Sequence, residues 1–146
     1  MLPDLDVLMQ YQNLRVIQSF MRDYAVSEAK ATELFQDVLR YLWITKKHAL
    51  DKKQFPENAD IQFILVMHEE MRQIDEMWHN FILYTYDYMT FCNTYFGEFL
   101  HHQRDMAETM IQTHAGFSDD LTHYLTYVYD QLGESVVKRW FACYVD

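Results

Sequence analysis

Three glycines and two prolines in 146 residues are too few for the turns of a strand-rich fold, and far too few for a collagenous or low-complexity chain. Two cysteines, Cys92 and Cys143, without a CxxC spacing, exclude a disulfide framework and a zinc ribbon. Both lie in apolar, aromatic surroundings, so buried free thiols in a reducing compartment are expected. Basic residues are scarce. Twelve Lys and Arg against 22 Asp and Glu give a net charge of −10, which repels phosphate backbones and anionic lipid, so neither nucleic acid nor membrane is an expected partner. No apolar run approaches the ~18 residues of a membrane span, and acids stand near the N-terminus where a secretory leader would carry Lys or Arg. A soluble, cytoplasmic protein is expected, although export by a non-classical route would leave no mark on this test.

What is present is apolar and aromatic: 50% hydrophobic and 16% aromatic residues. Length and composition fit one domain over residues 1–146, an all-α, irregular bundle of five to seven helices. Apolar residues at three- and four-residue steps predict a helix from Leu5 to Tyr24. Ser27 caps a second, expected to end near His48–Ala49, and the polar stretch Asp51–Ala59 around Pro56 reads as a loop, with Asp60 capping the next helix. Neither Gly nor Pro occurs from Ile61 to Phe96, but one helix of that length would exceed ~50 Å, so a break near Tyr84–Thr85 is expected, with Thr85 or Asp87 as the new cap. Gly97 stands where a left-handed helix terminus is wanted. Helices over Asp105–His114 and Ser118–Leu132, ended by Gly116 and Gly133, and an apolar Val136–Tyr144 segment complete the chain.

The histidines offer the most chemistry. On one helix His68, Asp75 and His79 would project within about 20–60° of one another. A hairpin broken near Thr85 would return His101 and His102 toward them. Asp75, His79, His101, His102 and His68 are therefore candidate ligands for a zinc-like divalent metal, structural or hydrolytic. Glu76-x-x-His79 and Glu98-x-x-His101 match half of a di-iron bundle pattern, without the two further inward glutamates that such bundles need. The competing account of each histidine is structural: an imidazole at the edge of a core donates to a carbonyl or to Asp75 while its ring packs. His68-Glu69-Glu70-Met71-Arg72 lacks the second histidine of a metalloprotease helix. No nucleophile elbow surrounds Ser27, Ser118 or Ser135, and no glycine-rich loop could cradle a phosphate. No cofactor is expected, and the reading leans away from an enzyme.

Nine aromatic residues fall between Trp78 and Phe99, too many for one buried face. Tyr84, Tyr86, Tyr88, Tyr95, Tyr124 and Tyr127 are the candidate interface rings, because tyrosine gives contact area at small entropic cost. The alternative is that the rings simply fill core and surface. With no complete catalytic motif, the leading expectation is a non-catalytic protein that binds and regulates or inhibits another protein, an enzyme with a basic face being one candidate; a homodimer through the same patch is the other arrangement. The alternative function is metal binding at the histidine cluster.

The run Ile74-Asp75-Glu76-Met77-Trp78-His79, continued by Ile82-Leu83-Tyr84-Thr85, Tyr88, Phe91-Cys92, Phe96-Gly97 and Phe99-Leu100-His101-His102, resembles the signature of the glycine-rich domain-containing protein-like family. The resemblance covers Ile74 to His102, with Tyr129–Trp140 similar to a more distant tail. It implies a compact helical module without the glycine-rich extension, and it singles out Asp75, His79 and His102. It implies no activity.

Overall fold

The computed structural model describes residues 1–102 and 117–142, with side chains described for 1–102 and 120–142. Among the described residues there are seven α-helices and no strand: α1 (Leu5–Leu8), α2 (Leu14–Tyr24), α3 (Glu28–Gln54), α4 (Arg72–Leu83), α5 (Thr85–Phe96), α6 (Phe117–Leu132) and α7 (Glu134–Trp140). The all-α expectation holds. The Asp105–His114 helix, the Gly116 terminator and Cys143 lie outside the described residues, as does the side chain of Ser118. The chain forms two compact units, one of Met1–Trp43 with Arg72–Leu100, the other of Ile44–Met71 with His101–Asp146.

In the first unit the expected Leu5–Tyr24 helix is two helices, and Asn13 is the reason. Its carboxamide oxygen accepts from the Val16 amide at 3.2 Å. Its Nδ2 donates to the Tyr11 hydroxyl at 3.1 Å and to Asp87 Oδ2 at 3.0 Å. A short amide that satisfies a helix start and two side chains competes successfully with helix continuation. Asp87 is thereby a partner of Asn13, not the cap of α5; that position belongs to Tyr84, which makes no side-chain cap hydrogen bond. α5 does begin at the expected break and ends at Gly97, whose φ of 71° is the left-handed conformation that a Cβ would strain. Ser27 caps α3 as expected, accepting from the Lys30 amide at 3.1 Å.

The core of this unit is a ring cluster. Phe81 of α4 is sealed from solvent and meets Phe35 of α3 at 5.2 Å, Tyr88 at 5.0 Å and Phe91 of α5 at 5.3 Å, centroid to centroid. Burying rings of this size stabilises by about 1.5–3 kcal/mol each, and edge-to-face geometry adds to that.

The second unit departs further from expectation. α3 continues to Gln54: Asp51 through Gln54 are adequate helix formers, Lys52 and Lys53 favour the negative end of the helix dipole, and Pro56 enforces the stop. Asn58, not Asp60, then caps a short 3-10 turn over Ala59–Ile61. Residues 62–68 are not helical, because side chains take the carbonyls that a helix would use. His48 Nε2 donates to the Ile61 oxygen at 2.8 Å, Lys52 reaches the Phe63 oxygen at 3.5 Å, and the Tyr124 hydroxyl donates to the Val66 oxygen at 2.6 Å. Backbone groups satisfied in this way carry no penalty for leaving the helix. A 3-10 turn at Glu69–Met71 follows. Gly133, at φ 96°, separates α6 from α7, where an L side chain would be strained.

Candidate functional site

Among the described residues two places can do chemistry or recognition, one in each unit. In the first, α4 and α5 carry both the histidine pair and the surplus rings. Asp75 and His79 lie one turn apart on α4, Oδ2 to Nε2 at 3.7 Å. A hydrogen-bonded relay ties α4, through the first turn of α5, to the segment that follows α5: Trp78 Nε1 donates to the Tyr88 hydroxyl at 3.1 Å, and that hydroxyl donates to the Leu100 carbonyl at 2.5 Å. Burial pushes the Tyr88 phenol far up from its ordinary value, so it stays a donor. The chain therefore does fold back on itself here, as the hairpin expectation requires. His101, exposed, and His102, half-buried, follow and open the second unit.

His68 does not sit on the α4 stripe. It precedes the 3-10 turn, which resets the helical register, and its carbonyl accepts from the Met71 amide at 2.9 Å. Its ring packs inside the second unit against Tyr124 (5.2 Å) and Phe141 (5.7 Å), and its Nε2 is buried without a hydrogen-bond partner. Among the predicted ligands, the first unit brings together Asp75 and His79. The di-iron pattern also fails on geometry: Glu98 follows Gly97 outside any helix, so Glu98 and His101 do not share a helical face.

The interface tyrosines divide by burial. Tyr88, Tyr124 and Tyr127 are 0%, 1% and 6% exposed, so these three are core residues and offer no ring to a partner. Each spends its hydroxyl inside: Tyr88 on Leu100, Tyr124 on Val66, Tyr127 on Asp51 Oδ2 at 2.6 Å. Alternation of buried and exposed positions in a chain this aromatic cannot be read without knowing the helix phase. Tyr84 is half-buried under Arg15, whose guanidinium lies 5.1 Å from its ring centroid, and Tyr95 is half-buried beside Phe91. Tyr86 alone of the six is broadly exposed, at 74%, with Leu83 at 78% and Met89 at 46%. These three recur at three-residue steps across the α4–α5 junction, and on α5 Tyr86 and Met89 point about 200° away from Tyr88 and Phe91.

In the second unit a cleft of about 550 Å³ opens beside α3 and α6. Lys47 and Asp51 form an i,i+4 ion pair on α3, with Nζ at 3.1 and 3.0 Å from the two carboxylate oxygens. Tyr127 adds its hydroxyl to the same carboxylate. Phe55 and Ile61 supply apolar wall, and Asp60, His123 and Asp130 surround the mouth. None of these but Tyr127 was a candidate, because ending α3 near His48 assigns Asp51 to a loop and hides its helical pairing with Lys47. The i,i+4 Lys–Asp spacing was the legible signal.

Fold and surface together define an acidic, all-helical protein; among the described residues no helix is long and apolar enough to cross a membrane. Residues 18–124 match the model of the UCP032817-like family, and the chain belongs to that family. No curated protein and no solved structure matches it. The match corrects the resemblance to the glycine-rich domain-containing protein-like family drawn from Ile74–His102. Seven of the residues that carried that resemblance, Ile74, Met77, Trp78, Tyr88, Phe91, Cys92 and Phe96, are buried core positions. Large apolar residues at helical spacing recur wherever two helices pack, so they discriminate poorly between families.

Proposed function

We propose that this protein is non-catalytic and acts by binding a second protein with a basic face, which it regulates or inhibits. The observation that carries this reading is the exposed Leu83, Tyr86 and Met89 at the α4–α5 junction. A tyrosine flanked by leucine and methionine has the composition of an interface anchor, and a net charge of −10 favours a cationic partner by long-range attraction. The test begins with capture from the native host and is decided with purified components. Tyr86→Ala with Met89→Ala should weaken the reconstituted complex about tenfold or more, and added salt should slow its formation. A complex indifferent to both changes would overturn the reading. Self-association abolished by Tyr86→Ala would replace it with the homodimer.

A second reading, divalent-metal binding, is favoured by the 3.7 Å approach of Asp75 to His79. An aspartate oxygen and an imidazole nitrogen suit zinc, which takes three or four protein ligands. Untagged protein should then bind zinc and gain thermal stability, and His79→Ala should abolish both effects, while His101→Ala and His102→Ala identify which imidazole takes part. Absence of a zinc-dependent thermal shift in the unsubstituted chain would remove this reading.

A further inference from the structure

The cleft of the second unit shares no residue with the Leu83–Tyr86–Met89 surface, and its chemistry is specific. At about 550 Å³ it lies within the range of small-molecule sites, roughly 300–1,000 Å³. Its floor is an oriented carboxylate. Asp51, largely covered, accepts two hydrogen bonds from Lys47 and one from Tyr127. A carboxylate has about four acceptor positions, so one is left for a ligand. The Lys47 ammonium is committed to Asp51 and is not offered to an anion. Burial pushes the Tyr127 phenol far up from its ordinary range, with the Asp51 hydrogen bond adding to the shift, so that hydroxyl remains a clamp on Asp51. Asp130 adds a second carboxylate to the lining, and Asp60 a third, 3.7 Å from His123. Phe55 and Ile61 give the same cleft an apolar side.

We propose that this cleft binds an organic cation, an ammonium head on a short apolar stem, with the head between Asp51 and Asp130 and the stem along Phe55 and Ile61. An inorganic cation would leave the apolar wall unused, and a carboxylate ligand would meet uncompensated acids. The ligand chemistry is shared by a free polyamine and by a lysine side chain presented by another protein.

The test is an amide NMR titration of the full chain with cadaverine, with Nα-acetyl-lysine methylamide, and with hexanoate as the charge-reversed control. Saturable shifts centred on Asp51, Phe55, Tyr127 and Asp130, at ~millimolar Kd, are expected for at least one amine and absent for hexanoate. Tighter binding of cadaverine identifies a free amine as the source, and tighter binding of the lysine derivative a protein side chain. Asp130→Asn, an exposed substitution that leaves the Lys47–Asp51–Tyr127 clamp intact, should weaken binding about fivefold; Asp51→Asn should weaken it further if circular dichroism shows the chain still folded. Failure of both amines to saturate, shifts scattered over the acidic surface, or binding unchanged by Asp130→Asn would overturn the proposal.

Discussion

Phe81→Ala should destabilise the first unit by about 3–5 kcal/mol, a larger effect than any other single substitution proposed for this chain. Phe81 is fully buried and its ring joins four others: Tyr11 at 6.0 Å, Phe35 at 5.2 Å, Tyr88 at 5.0 Å and Phe91 at 5.3 Å. These rings come from the segment before α2 and from α3 and α5, so truncation opens a cavity at a point where no single neighbour can collapse to fill it. Set against a total of about 5–15 kcal/mol for a typical domain, the loss would leave the unit marginal at 25 °C. Urea unfolding followed by tryptophan fluorescence reads it. Leu83→Ala, two residues away on the same helix but 78% exposed, should shift stability by no more than about 0.5 kcal/mol. Equal effects of the two substitutions would show that the phase of α4 is wrong.

Acidification should unfold the second unit through two imidazoles. His48 is buried, stacked on Phe63 at 4.2 Å with Nε2 on the Ile61 carbonyl. Desolvation lowers its pKa from 6.5, and the Lys52 charge acts in the same direction, outweighing the Ile61 hydrogen bond and Asp51. Desolvation lowers that of His68 from 6.5 as well, against a weaker opposing pull from Glu70. Both rings are held neutral in the folded chain and take up protons more readily once it unfolds. Their contribution is therefore intact above about pH 6.5 and is lost as the pH falls below that value toward the folded-state pKa, at up to about 1.4 kcal/mol per pH unit for each ring.

His68 has a second cost, the buried Nε2 without a partner, worth about 1–3 kcal/mol. His68→Leu should raise the urea midpoint at neutral pH. His48→Gln with His68→Leu should flatten the acid limb between about pH 6.5 and pH 5. Parallel pH profiles for the double variant and the parent chain would refute the assignment.

The helical core was legible where local chemistry and long-range packing agree. Gly97 ends α5 because only its backbone takes a φ of 71° without strain, and that requirement is written in the residue itself. Ser27 at the start of α3 is the same kind of signal. Expectation failed where a side chain from a distant part of the sequence satisfied the backbone. Tyr124 donates to the Val66 carbonyl and His48 to that of Ile61, so the stretch after Ile61 is not helical although its residues carry no helix breaker. Asn13 breaks the first helix because Asp87, distant in sequence, accepts its amide. The candidate sites divide along the same line. Asp75 and His79 were readable because i,i+4 spacing on one helix fixes their approach. His68 was misplaced by the register change at Glu69–Met71, and the Asp51 cleft was hidden by the longer α3.

By itself the sequence determined the class of fold, the acidic character and the helix ends that glycine and serine impose, since these depend on composition and on φ preferences within a few residues. The tertiary structure decided which tyrosines are core, which remain outside, and which carboxylate is clamped at the bottom of a cleft. Those outcomes depend on helix phase and on partners far away in the chain, and no local propensity encodes either.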